Sequence, residues 1–495
     1  MVFKRLIISK VAWNSRFGTH SKERMDGVML LIGGTMRLNR WWVLRNWTMV
    51  LLAGVGLSAW PSSRSSADEP QLKTTFVALG QGVPGVLYEL PTLGEKGQIG
   101  VLVMHSGGDF LTHSACTQLS RRGYRVLCAN NSASKSGFTD DESTDRMLLD
   151  AKLAVAWLRK YPGIKKVVIF GHSGGGTLMS AYQDIAENGV KVCQGADKIV
   201  KCPDRLAGLP QADGVMLVDS NFGLPETFLF SLDPAVANEE GGQPLNPELD
   251  LFNLQNGFNK DGSNYSPAFV AKFLTAQGRR NNELIQTALA RLAVIEAGKG
   301  HYSDDEPFVV PGGNFRGNNN RFFAQDPHLM EHTRKPWPLL HGDGSVTAEI
   351  VHTVRVPGNP VSHTGSLDDG GLQTSIRKFL STYAIRVTPD YGYSGDAVRG
   401  IEWTSSYGSV PGNVEGISVP LLTMGMTGHW EFMSAETIYE HAKSGDKTLV
   451  YVEGALHGYT TCKACEKNPG QFGNTEKTTY DYIDGWLSKT GRFLP

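Results

Sequence analysis

Lys165-Lys166-Val167-Val168-Ile169-Phe170-Gly171-His172-Ser173-Gly174-Gly175-Gly176 is the stretch on which the fold turns. The run Val167–Phe170 is short, continuously apolar and rich in β-branched residues, which predicts a strand buried on both faces. A helix is predicted from the glycines to about Ala186. Between strand and helix stands Ser173, the centre of Gly171-His172-Ser173-Gly174-Gly175, a G-x-S-x-G pattern. A nucleophile on so sharp a turn adopts a strained backbone, and glycine neighbours let the chain double back without side-chain collision. The helix then aims its first N–H groups and its dipole at the point where negative charge develops in acyl transfer. With 57 glycines among 495 residues, the pattern gains weight only from its surroundings.

Those surroundings alternate regularly. Strands are predicted over Thr74–Leu79, Val83–Leu90, Ile99–His105, Tyr124–Asn130 and Asp213–Asp219, with helices over 111–122 and 143–161. Alternation of this kind implies a mainly parallel α/β sheet. It stops near Asn221 and resumes near Val419 with a strand over Pro420–Gly425, a helix over Ser434–Lys443 and a strand over Lys447–Glu453. Gly454-Ala455-Leu456-His457-Gly458 follows that last strand, and a helix over 476–488 closes the chain. The intervening stretch has a different character: one long helical segment over 267–297, a loop of Gly and Asn over 311–320, and much Asn, His and aromatic residue. Because the sheet pattern resumes afterwards, 224–415 is expected to be a cap inserted over a core of 68–223 and 416–495, rather than an independent domain.

With these residues in place, the chain resembles the α/β-hydrolase fold superfamily over roughly 70–223 and 415–495. The resemblance rests on the Gly171–Gly175 elbow, the His105-Ser106-Gly107-Gly108 loop after an earlier strand, and an acid and then a His after late strands. It implies Ser173 as nucleophile and His457 as the base, since a serine hydroxyl attacks poorly until its proton is taken. His172 is expected to point away from the base position and serve as wall. Glu431 is the preferred acid, several residues beyond the Leu421–Met424 strand; His429 stands where the commoner Asp would be. Asp219, at the end of the strand after the elbow, is the alternative. Backbone N–H groups of Gly174 and of Gly107 or Gly108 are expected to form the oxyanion hole.

The activity this implies is hydrolysis of a small-molecule carboxylic ester or lactone through an acyl-enzyme. Amide, thioester or C–C bond hydrolysis on the same triad stays open, as does a non-catalytic binding protein of this fold. A serine at the elbow, where dehalogenases and epoxide hydrolases carry Asp, disfavours those two chemistries. No G-x-G-x-x-G after a strand and no Walker loop occur, so no cofactor is expected, and no metal. The inverted zinc pattern H-x-x-E-H at His328–His332 comes with no third ligand in sight, and His301–Glu306 reads as a solvated acidic turn. Phe222, Phe228, Phe230, Phe322 and Phe323 either line an apolar pocket or form the cap's own core; the second is preferred.

Composition is that of a globular protein, 40% hydrophobic and 20% charged, and a net charge of −1 implies neither nucleic acid nor an anionic membrane as partner. The basic run Met36–Arg45, the apolar run Trp47–Leu57 and the small residues Ser65-Ser66-Ala67 follow the order of a secretory signal peptide, with Met36 as starting residue and 1–35 as an upstream tail. The apolar run is shorter than the about 20 residues of a membrane anchor. A periplasmic or secreted protein without a membrane span is therefore expected, its fold beginning after 67. In an oxidising compartment, Cys193 and Cys202 would staple a short segment and Cys462 and Cys465 would brace a loop, while Cys116 and Cys128 are read as buried apolar packing. The oligomeric state is not legible.

Overall fold

The apolar runs of the sequence become the strands of one large sheet. In chain order the strands are β1 (Lys73–Gly80), β2 (Val83–Glu89), β3 (Ile99–Met104), β4 (Arg125–Ala129), β5 (Lys166–Ser173), β6 (Gly214–Ser220), β7 (Pro307–Pro311), β8 (His332–Leu340), β9 (Val346–His352), β10 (Gly371–Ser375), β11 (Val387–Tyr393), β12 (Val398–Ile401), β13 (Leu421–Met426) and β14 (Lys447–Val452). Ten of them hydrogen-bond in the order β1-β2-β4-β3-β5-β6-β13-β14-β8-β9. Pairing is parallel from β4 through to β8 and antiparallel at the two margins, β1 with β2, β2 with β4, and β8 with β9. The computed structural model describes residues 71–132, 143–241, 244–314, 321–357, 365, 367–368 and 370–495. The leader expected at 36–67 lies outside them, as does part of the loop expected at 311–320.

The longer helices are α1 (Ser114–Arg121), α2 (Thr144–Lys160), α3 (Gly174–Asn188), α4 (Leu224–Ser231), α5 (Pro267–Glu296), α6 (Phe432–His441) and α7 (Thr475–Leu487). They explain why the central strands are apolar without a break. Every residue of β3, β6 and β13 is buried. Side chains alternate between faces: Leu102, Val167, Ile169, Val215 and Leu217 pack with α2 and α3, and Val101, Val103, Val168, Phe170 and Met216 pack with α1 and α7.

The segment expected to be a cap contributes both to small sheets of its own and to the main sheet. β7 pairs with β10 and β11 with β12 as two small sheets of their own. β8 and β9, however, extend the main sheet: Leu339 and Leu340 lie opposite Tyr451 and Val452 of β14. An aromatic core joins the two regions, with Phe222, Phe230, Phe322, Phe323 and Tyr393 packed against Trp430, Phe432 and Tyr451. Phe228 instead enters a second cluster with Ile285, Phe308 and Phe379.

All six cysteines are paired. Cys193–Cys202 and Cys462–Cys465 close the two short segments read from the sequence. Cys116 and Cys128 are buried as expected but are not merely packing: with Cα atoms 6.0 Å apart they are joined, tying α1 to β4.

Candidate active site

Ser173 has φ 52° and ψ −128°, a left-handed backbone that a side chain rarely tolerates and that turns β5 directly into α3. The glycines around it are sterically required. A Cβ on Gly171 would meet the carbonyl oxygen of Gly175 at 2.5 Å, and one on Gly175 would meet that of Met104 at 2.8 Å. Gly174 lies against the Ser106 hydroxyl and Gly176 against that of Ser220. The elbow is thus seated on the ends of β3 and β6. Gly174 opens α3, so its N–H is one of the helix's orphan donors and faces the turn.

β6 runs beside the elbow, with Val218 opposite His172 and Ser220 opposite Ser173, and Asp219 lies at the irregularity between them. Asp219 also has a positive φ, 46°, and its side chain is fully buried. One carboxylate oxygen accepts the backbone N–H of Met426 at 3.0 Å; the other lies 2.6 Å from Nδ1 of His457. Glu431, just before α6, brings Oε2 to 3.4 Å from the same nitrogen. The sequence reading ranks Glu431 before Asp219; the distances rank them the other way. The reason is topological: β6 and β13 are neighbours, so an acid at the end of either strand reaches the same imidazole.

Electrostatics single out His457. Burial alone would depress it, but Glu431 and Asp219 push it up to about 9. Burial favours the neutral form of Asp219, yet the imidazoles of His429 and His457 beside it hold it below the usual carboxylate range. Glu431 goes the opposite way, raised chiefly by burial, with the charge of Asp219 adding to the effect.

Four further imidazoles surround the site. The sequence reading has His172 as wall, His429 in the place of the commoner Asp and His105 in the early loop, and leaves out His113. His172 does not point away from the base as expected: its ring centroid is 4.3 Å from that of His457, its Nδ1 3.1 Å from the Val218 carbonyl. His429 lies 4.3 Å from His457 on another side. His113 packs on His172 at 5.4 Å, and His105 stacks on Phe110 at 4.4 Å. Burial holds His105 down to about 3 and His113 and His429 to about 4, with His172 also well below its ordinary value. One protonatable base therefore stands among neutral rings.

The early loop is clamped by Asn130 and Asn131. Asn130 donates to Asp109 at 2.9 Å and accepts from the Phe110 N–H at 2.7 Å, while Asn131 donates to the Ser106 carbonyl at 3.0 Å. Gly107 and Gly108 are not equivalent. The Gly107 N–H reaches Nδ1 of His105 at 2.8 Å and is engaged there. Gly108 is exposed and takes φ +77°.

Among the described residues, Asp219, His429, Glu431 and His457 are the group whose donor atoms lie close enough for a metal, all within 4.8 Å of one another. The 2.6 Å contact between Asp219 and His457 fits a shared proton better than an ion. Two ligands held about 2.0–2.1 Å from a tetrahedral zinc must keep roughly 3.3 Å between them. The H-x-x-E-H pattern is not a helix face: His328 sits in a turn beside Asp326, 2.8 Å away, and His332 starts β8.

A mostly parallel sheet in this strand order, helices on both faces and a strained serine elbow after the fifth strand make this an α/β-hydrolase fold. No protein-family model matches the chain, and no curated protein matches it. Solved structures of similar fold include the siderophore hydrolase EstB from Aspergillus fumigatus, 12% identical, covering 87% of this chain and 100% of that one with a TM-score of 0.41. Dienelactone hydrolase from Anabaena variabilis is 9% identical over 85% of this chain and 97% of that one, TM-score 0.34. Brefeldin A esterase, a bacterial homologue of human hormone sensitive lipase, is 12% identical over 88% and 80%, TM-score 0.35. These are similarities of chain path; the chemistry of the site rests on its own residues.

Proposed function

We propose that this chain is an exported serine hydrolase that cleaves a carboxylic ester or lactone. The observation that carries the reading is Ser173 on a strained elbow beside the strand whose Asp219 holds His457 at 2.6 Å. Ser173 Oγ attacks the carbonyl carbon while Nε2 of His457 takes its proton. Asp219 accepts the Nδ1 hydrogen and stabilises the imidazolium. The amides of Gly174 and Gly108 receive the oxyanion, Gly107 being engaged with His105. The tetrahedral intermediate collapses, the alcohol leaves with the proton from His457, and water releases the acid from Ser173 by the same steps in turn.

Segment 224–415 acts as the lid, enclosing a small-molecule substrate over the sheet. Export is supported by the signal-like order of residues 36–67 and by three disulfides, which oxidising compartments preserve. Among the described residues, no helix is long and apolar enough to cross a membrane.

The test is labelling with a fluorophosphonate probe together with turnover of p-nitrophenyl esters of graded chain length. Wild type should label and turn over; Ser173→Ala should lose the label and at least about 10³-fold in kcat. Retained turnover in Ser173→Ala overturns the assignment. Folded wild type that neither labels nor turns over points to a binding protein instead.

A further inference from the structure

Asp219 by itself completes a triad. It takes the Nδ1 hydrogen of His457, and its second oxygen is occupied by the Met426 N–H. Glu431 is a second carboxyl directed at the same nitrogen. Its side chain is only 6% exposed, and its Oε2, 3.4 Å from His457 Nδ1, has no hydrogen-bond partner. Burying a carboxyl oxygen without a hydrogen bond is unfavourable, and a nearby cation is what offsets it. His457 is the group beside it that carries a positive charge when protonated.

We propose that Glu431 is a second carboxyl partner of the base, a positioning residue that sets the basicity of His457 through charge while Asp219 holds its hydrogen bond. The assignment rests on the hydrolase reading of the site. The charged and titratable groups facing this pair come from every element around it. Asp219 comes from β6, His172 from β5, His429 from the turn after β13, and His105 and His113 from the stretch between β3 and α1. Tyr459 approaches from the loop beyond β14, its ring 5.0 Å from His172. Arg321 enters from the inserted segment, 5.0 Å above the Trp430 ring.

Burial, with the charge of Asp219 behind it, keeps Glu431 protonated to higher pH than an ordinary carboxyl. As pH rises its proton passes to solvent, and the ionised group adds a second negative charge beside His457. No bond to substrate is made or broken by Glu431.

The experiment is an NMR titration of histidine-labelled wild type, Glu431→Gln, Glu431→Asp, Asp219→Asn and the double Asp219→Asn/Glu431→Gln, with pH profiles of p-nitrophenyl acetate hydrolysis. The His457 signal is assigned by its loss in His457→Asn. Glu431→Gln should lower the His457 midpoint by about 1–2 pH units and move the kcat profile by the same amount, with KM unchanged. Glu431→Asp keeps the charge and should recover part of the shift. Asp219→Asn should keep activity that the double variant loses by a further factor of roughly 10–100. A His457 midpoint in Glu431→Gln within about 0.3 units of wild type overturns the proposal. So does equal activity in Asp219→Asn and the double variant. If no variant hydrolyses ester, the hydrolase reading fails, while the titration still decides the role of Glu431.

Discussion

At the scale of single residues, buried acids that find no cation explain the most. Glu226, near the start of α4, is fully buried, and neither of its carboxyl oxygens has a hydrogen-bond partner. Gly223 leaves room for it, since a Cβ there would collide with Glu226 Oε2. Burial raises Glu226 to about 8, so the folded protein holds a proton that the unfolded chain releases near the ordinary glutamate value. Between about pH 4.5 and 8 the folded state thus binds more protons, and stability falls as pH rises through that window. Glu226→Gln should match wild type near pH 5 and exceed it by ~2–4 kcal/mol near pH 8.5. Urea unfolding at the two pH values checks this; equal gains at both would remove the titration as cause. The nearness of Asp219 to His457 was hard to read for a related reason. Its side chain is aimed by a positive φ of 46° that nothing in Asp213–Asp219 announces, whereas the strain at Ser173 is announced by four glycines.

At the scale of elements, legibility follows burial. β3, β5, β6, β13 and β14 were readable because strands covered on both faces carry unbroken apolar runs. β8 was not: it contains Lys335-Pro336-Trp337-Pro338, and proline is confined to strands near a sheet margin, where donors can be spared. β9 beside it exposes its first four residues, so its alternation of Val346, Ala348 and Ile350 with Thr347 and Glu349 does not mark a buried face. The Cys116–Cys128 link was equally hidden, since connectivity is not encoded in spacing. It closes a loop with a sequence separation of 12 between two buried positions. In the chain-entropy account, such a loop contributes about 3 kcal/mol. Cys116→Ala/Cys128→Ala should lower the urea midpoint by the corresponding amount, and wild type in strong reductant, with all three links open, should fall at least as far. An unchanged midpoint would show that the link adds nothing to stability.

At the scale of the whole molecule, the inserted segment and the sheet share one aromatic core. Phe230 and Phe323 come from the segment; Trp430, Phe432 and Tyr451 come from after it. Replacing 224–415 by a short Gly-Ser linker should therefore fail to give a soluble minimal hydrolase. It would strip β8 from β14 and uncover Phe432 and Tyr451, both fully buried. Soluble, monomeric protein with a native near-UV spectrum would contradict this. The pairing of β6 with β13 has a further consequence, in the time order of synthesis. Val215 lies opposite Leu421, some 200 residues later in the chain. At the roughly 5–20 residues per second of translation, that gap lasts about 10–40 s. For that interval the strand that carries Asp219 has an open edge, and the residue it is to hold, His457, has not yet been made. High contact order of this kind makes folding slow, and its assembly must wait for the end of the chain.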